Sequence, residues 1–227
     1  MDPLPAAGLA AGAGYLCGSI PFSWAAVRLR AGKDLRTVGS GNVGATNASR
    51  VLGRAWFPVL FALDFAKGAV PVLLAGMLCG HLHPLADSLW IRCAAGAAAV
   101  LGHLFPLWLG FRGGKGVATG AGVVAVLAPG SFGAGVAVFL LVLAVSRFVS
   151  LASVAGAVAA AAWLLPSHRT SPVGEILPVG LLLGALAAAV VLRHAPNLRR
   201  IAAGTEPRIL AGTPPPPADG KEPPRVP

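Results

Sequence analysis

The apolar positions of the chain gather into seven long segments, at about 6–27, 55–80, 89–109, 116–128, 131–146, 150–165 and 175–193. Most approach the ~20 apolar residues that carry a helix across a ~30 Å hydrocarbon core. The fourth and fifth are short, and Pro129-Gly130 lies between them in one continuous apolar run. That run is too long for one ordinary span and too short for two full ones, so a tight turn or broken helix is expected at the proline. Hydropathy alone accepts five or six spans as well. The expected fold class is all-α, a polytopic integral membrane protein.

Composition agrees. Apolar residues make up 56% of the chain and charged residues 11%, with a mean hydropathy of +0.74. A soluble domain of this length would lack the charge to cover its surface, so the lipid bilayer is the expected solvent and partner. The formal charge of +10 is read first as a topology signal, and no nucleic-acid partner is expected. Arg28, Arg30, Lys33, Arg36, Arg50 and Arg54 follow the first segment, Arg112 and Lys115 the third, Arg147 the fifth, and Arg193, Arg199, Arg200 and Arg208 the seventh. Loops of the opposite side hold only Arg92 and Arg169, with Asp87 and Glu175. The positive-inside rule then selects about seven transmembrane helices, N-terminus outside and C-terminus cytoplasmic. No basic region precedes the first segment, which is read as a span and not as a cleaved signal peptide.

Two regions are expected: a transmembrane domain at 1–203, and a Pro-rich cytoplasmic tail at 204–227, containing Thr213-Pro-Pro-Pro-Pro217, that has no apolar period and should be disordered. Cys17, Cys79 and Cys93 are odd in number and form no C-x-x-C, which suits reduced thiols. The five histidines form no zinc-binding pattern, His81 and His83 included, so neither a metal nor a cofactor is expected.

Four polar clusters carry candidate chemistry. The first runs from Gly39 to Asn47, with Ser40, Gly41, Asn42, Gly44, Thr46 and Asn47 flanked by Arg36 and Arg50. Glycine frees backbone N–H groups, and hydroxyl, amide and guanidinium donors complete a phosphate site; the alternative is a flexible cytoplasmic linker. Its literal G-x-G-x-x-G lacks the surrounding βαβ pattern of a dinucleotide fold. The second is Asp64-Phe-Ala-Lys67-Gly68, expected at the cytoplasmic start of the second span. Asp64 and Lys67 either neutralise each other across one helical turn or belong to the site. The third comprises His103 and the stretch Arg112-Gly113-Gly114-Lys115-Gly116. It is no P-loop, because Leu109 and Gly116 stand where the pattern needs glycine and serine or threonine. A cationic nest for an anion is expected there, against the plainer reading of a positive-inside anchor. The fourth is split between Ser146-Arg147-Phe-Val-Ser150 and Arg193-His194-Ala-Pro-Asn197, followed by Gly204-Thr-Glu-Pro-Arg208. His194 and Asn197 fall on one helical face. All four clusters lie on the cytoplasmic side of the charge-derived topology, which favours one site.

Taken together, Gly18-Ser-Ile-Pro21, Gly39–Asn47, Asp64–Gly68, Leu101-Gly-His-Leu-Phe-Pro106, Arg112–Gly116, Arg193-His194 with Asn197, and Gly204-Thr-Glu-Pro207 resemble the bacterial membrane glycerol-3-phosphate acyltransferase family known as PlsY, the acyl-phosphate-dependent type. The resemblance implies transfer of a fatty acyl group from an acyl-phosphate donor to the 1-hydroxyl of glycerol 3-phosphate, giving lysophosphatidic acid and phosphate. It also implies a seven-span protein of the bacterial inner membrane with its active site facing the cytoplasm. By motif position, Ser40, Asn42, Thr46, Arg50, Lys115, Ser150, His194 and Asn197 would line the phosphate site. His194, Lys115 and Ser150 are the catalytic candidates. Gly41, Gly44, Asn47, Lys67, His103, Arg112, Gly113 and Gly114 are further binding candidates from the clusters themselves.

The reaction suits such a site. An acyl-phosphate is already activated, so positioning and charge stabilisation suffice. His194 is the best side-chain base, but a substrate phosphate oxygen can also take the hydroxyl proton. A transporter of anionic solutes is the competing class; it calls for paired broken spans and midplane polar residues, whereas the polar residues here gather on one side. A metal-dependent phosphotransferase would need an Asp cluster that Asp64 alone cannot supply.

Overall fold

The computed structural model describes residues 3–79, 85–167 and 173–209. The His81 and His83 pair, Arg169 and the tail from residue 210 onward lie outside them. Among the described residues the α-helices are α1 Pro3–Ser19, α2 Phe22–Ala31, α3 Ala45–Leu52, α4 Trp56–Cys79, α5 Leu85–Leu104, α6 Val117–Leu127, α7 Pro129–Ser146, α8 Val149–Ser167 and α9 Val173–Ala202. Four stretches are long and apolar enough to cross a membrane: Trp56–Leu78, Ser88–Leu109, Pro129–Ser146 and Ile176–Ala202. Val117–Leu127 and Val149–Leu165 are shorter apolar helices.

Three boundaries differ from those expected. The first apolar segment is two helices, because Pro21 has no N–H and its ring clashes with a continuing helix. The Asp64–Lys67 cluster sits two turns inside α4, not at its start, and both side chains are buried within the helix bundle. Arg92, assigned to a loop, lies inside α5 and packs on Gly76 of α4. At Pro129 the chain does break as expected: Ala128 leaves helical geometry at φ −145° and ψ 73°, and Pro129 opens α7, where its missing N–H costs nothing.

Lipid tails are as apolar as leucine, so helices in a bilayer associate through close packing of small residues. This chain supplies them. A Cβ at Gly18 would overlap the Ala99 carbonyl, one at Gly68 the Thr119 carbonyl and one at Gly156 the Gly135 carbonyl, which brings α1 onto α5, α4 onto α6 and α8 onto α7. Between them Val72, Val100, Leu104, Val123, Leu164 and Leu183 form the main core. A second core of Val27, Leu35, Val43, Ala48, Leu60 and Leu109, edged by Trp24 and Trp56, sits beneath the Gly39–Asn47 loop. That loop is therefore packed, and a free linker is excluded.

Candidate active site

The loop is built from its ends. At its root, Asp34 accepts hydrogen bonds from the Arg36 side chain, at 2.6 Å from Nη2, and from the Trp24 indole at 3.0 Å. The Arg36 hydrogen bonds hold the Asp34 carboxyl well below the usual carboxylate range. Gly39 and Gly41 then turn the chain with φ of +58° and +68°, a region that L side chains avoid. Asn47, only 1% exposed, ties the loop to α3. Its Nδ2 donates to the Val38 and Leu35 carbonyls at 2.9 and 3.3 Å, and its Oδ1 accepts from the Ser40 N–H at 3.0 Å. Asn47 thus spends its whole amide on the backbone and does not face a ligand. The loop presents Ser40, Gly41 and Asn42 outward.

The glycine-rich stretch differs from the expected nest. The N–H groups of Gly113 and Gly114 donate to the Leu104 and His103 carbonyls, each at 3.1 Å, so they are unavailable to an anion. The outward carbonyls are taken by Arg193, whose Nε and Nη2 donate to Gly114 O at 3.1 and 2.7 Å and whose Nη2 donates to Gly113 O at 3.0 Å. Its guanidinium also lies 5.7 Å from the Phe105 ring centroid. What the stretch offers an anion is the Lys115 ammonium beside the N-terminus of α6, where first-turn N–H groups have no intrahelical acceptor. Burial pushes Lys115 down to about 8; Glu206 opposes the shift, while Arg200, Arg193 and Arg50 add to it.

The third wall comes from α9, which continues through Pro196 well past the expected end at 193. Its thirty residues span about 45 Å against a ~30 Å core, so the helix is long enough to carry its last turns beyond the hydrocarbon layer. They carry Arg193, Asn197 and Arg200 on one side. Residues 204–209, expected to open a disordered tail, instead pack against the α7–α8 junction. The Ile209 N–H donates to the Arg147 carbonyl at 2.8 Å, and Arg208 lies 5.1 Å from the Phe148 ring centroid. This strap delivers Glu206, the residue that composition least suggested. Its Oε1 accepts from Asn197 Nδ2 at 2.7 Å and from Ser150 Oγ at 2.8 Å, and its Oε2 accepts from Arg200 Nε at 2.8 Å. Burial raises the Glu206 pKa, but these three bonds and the Arg200 charge outweigh it and hold the group ionised. Asn197 completes the chain by accepting from Lys115 Nζ at 2.5 Å. The signal for Glu206 was its position as the lone acid among Arg199, Arg200 and Arg208.

These walls enclose an open cleft of about 290 Å³, lined by Ser40, Asn42, Gly113, Lys115, Asn197 and Arg200 together with Gly41, Leu192, Arg193 and Pro196. Three cations face one carboxylate, so the cleft is net positive and fits a phosphate ester. Several expected ligands stand elsewhere. Ser150 is buried under Glu206. His194, 3% exposed, lies behind the α9 wall; its Nδ1 meets the Val190 carbonyl at 2.8 Å. A carbonyl only accepts, so this bond calls for hydrogen on Nδ1. Thr46 and Gly44 sit at the start of α3, Gly44 as its N-cap. Arg50 and Arg112 are exposed and do not line the cleft. Among the described residues no group of three or more His, Cys, Asp or Glu is placed to hold a metal.

Lys67 and His103 form a separate cluster. Lys67 Nζ pairs with Asp64 at 2.9 Å and donates to the Ile20 carbonyl at 2.8 Å. His103 Nδ1 meets Thr119 Oγ at 3.1 Å. The cavity they share is about 10 Å³, room for one water at most. A phosphate does not fit that space, and neither side chain lines the larger cleft.

Comparison with known proteins places this arrangement in one family. The family model described as glycerol-3-phosphate acyltransferase matches residues 8–204. The glycerol-3-phosphate acyltransferase of Anaeromyxobacter sp. (strain K) is 42% identical over 210 residues, covering 92% of this chain and 100% of that protein. That of Myxococcus xanthus (strain DK1622) is 45% identical over 197 residues, covering 86% and 95%. Crystal structures of PlsY, an integral membrane glycerol 3-phosphate acyltransferase, superpose with a TM-score of 0.80 at 37% identity for the glycerol 3-phosphate form, and 0.76 at 35% for the lysophosphatidic acid form. Each covers 89% of this chain and 95% of the solved one. A positive cleft at one end of a packed apolar helix bundle, with agreement over nearly the whole described chain, makes this protein a helical membrane acyltransferase that belongs to the glycerol-3-phosphate acyltransferase family.

Proposed function

We propose that the protein transfers a fatty acyl group from an acyl-phosphate to the 1-hydroxyl of sn-glycerol 3-phosphate, releasing phosphate and lysophosphatidic acid. The observation that carries this reading is the cleft itself: Lys115, Arg193 and Arg200 converge with the Ser40–Asn42 loop around a space open to solvent. In the mechanism, Lys115, Arg200 and the loop donors hold the phosphate of the acceptor. Arg193 fixes the Gly113–Gly114 backbone, and Glu206 fixes Asn197 and Arg200. The hydroxyl oxygen attacks the acyl carbon, the bond from acyl carbon to phosphate oxygen breaks, and the proton passes to a phosphate oxygen of the donor. Preorganised cations stabilise the charge on the departing phosphate. No carboxylate orients His194 as a base, since its Nδ1 meets the Val190 carbonyl, and this favours the substrate-assisted route. Thr46, Arg50 and Arg112 serve the rim, and Ser150 acts through Glu206.

The same reading places α1, α4, α5, α6, α7, α8 and α9 as seven passes through a bacterial inner membrane, N-terminus outside and cleft toward the cytoplasm. What supports the orientation is the run of basic residues in 28–54, 112–115 and 193–208, which the positive-inside rule assigns to the cytoplasmic side.

The decisive experiment supplies purified protein with labelled glycerol 3-phosphate and either acyl-phosphate or acyl-CoA, in the presence of a chelator. Lysophosphatidic acid from acyl-phosphate alone is expected. Product from acyl-CoA alone, or turnover that needs a restored divalent metal, would replace this reading. A companion variant, His194→Gln, is expected to keep measurable turnover with an acidic limb that follows substrate phosphate. Inactivity at every pH with normal acceptor binding would make His194 the base.

A further inference from the structure

The buried Asp64–Lys67–His103 cluster lies between two of the three walls of the cleft, the Ser40–Asn42 loop and the Gly113–Lys115 stretch. Lys67 donates to the Ile20 carbonyl, at the break where Pro21 interrupts the first apolar segment and leaves helical hydrogen bonding incomplete. Val43, the neighbour of cleft-lining Asn42, closes the same small cavity as Lys67, Asp64 and His103. On the other side the His103 ring touches Gly114, where a Cβ would overlap its Nε2, and Gly114 adjoins Lys115. Asp64 also faces His103 Nδ1 at 3.9 Å. A charged pair withdrawn from water is expensive unless its geometry is well satisfied, yet this one contacts no ligand-sized space.

We propose that Lys67 is a positioning residue that holds the Ser40–Asn42 loop and the Gly113–Lys115 stretch in register, through Ile20 and Val43 on one side and His103 on the other. Loss of the latch should loosen both walls together. The proposal rests on the functional reading of the cleft for its consequence in binding, but not for its structural test.

That test is hydrogen exchange on the full chain in detergent, with glycerol 3-phosphate binding measured without any acyl donor. The variant is Asp64→Asn with Lys67→Met, which removes both charges at once and so leaves no unpaired ion buried. Amides of 38–44 and of 113–117 should exchange at least tenfold faster, while those inside α7 and α8 keep their rates, and the acceptor should bind at least tenfold more weakly. Val43→Ala, which removes the loop's contact without touching a charge, should speed exchange in the same two stretches, and it serves if the double variant does not fold. Unchanged exchange in both stretches, or faster exchange at 38–44 with 113–117 unaffected, would overturn the proposal. Faster exchange in both stretches with no binding of glycerol 3-phosphate by the wild-type protein would uphold the latch and sink the functional reading instead.

Discussion

The Lys115 ammonium, pushed down to about 8 mainly by burial, loses its proton well before an exposed lysine would. Only the protonated form attracts a phosphate, so kcat/KM for glycerol 3-phosphate should fall as pH rises through about 8. Lys115→Ala should abolish that alkaline limb and lower kcat/KM about ten- to hundredfold, the equivalent of about 1.5 to 3 kcal/mol for a charged hydrogen bond in a partly dry site. The Glu206 charge raises the Lys115 pKa, so Glu206→Gln should move the limb to lower pH. Rate profiles of the three proteins check both statements; a limb that ignores both substitutions would mean another group titrates. Glu206 has a second consequence. Its folded pKa lies below the ordinary carboxylate value, so the stability it lends is present above that value and is lost as pH falls through the folded one.

At the scale of elements, α9 and the strap behind it form one device. The helix carries Arg193, Asn197 and Arg200 to the cleft, and the strap returns Glu206 to brace Asn197 and Arg200 against Ser150 of α8. A chain ended after Gly212 should keep its melting temperature and turnover, because nothing beyond Ile209 is needed for these bonds. A chain ended after Ala203 loses Glu206 and the Ile209–Arg147 bond, and should lose activity together with several degrees of thermal stability. Equal melting curves for the two truncations would show that the strap braces nothing. The same dependence on close approach holds between α1 and α5. Gly18→Ala forces a methyl onto the Ala99 carbonyl and should destabilise the protein by about 1–3 kcal/mol, read by thermal unfolding in detergent.

For the molecule as a whole, orientation in the membrane decides which compartment supplies the acceptor to the cleft. With Cys17, Cys79 and Cys93 replaced by alanine, a single cysteine at Lys33 should resist a membrane-impermeant maleimide in intact cells and react in inside-out vesicles. Reaction in intact cells would invert the proposed topology.

Long apolar segments and the break at Pro129 are local or additive properties, and residue order alone was enough to read them. Spacing also carried the motifs, so Ser40, Asn42, Lys115 and Asn197 were legible as members of one site. Which of these side chains face a ligand was decided only by tertiary structure, because it depends on partners far along the chain. Asn47 turns out to spend its amide on Leu35, Val38 and Ser40, and the Gly113 and Gly114 N–H groups are taken by Leu104 and His103. Lys67 reaches Ile20 across 47 positions, and Glu206 meets Ser150 across 56. A buried polar group must find a partner wherever packing supplies one, and neither hydropathy nor motif spacing records where that will be.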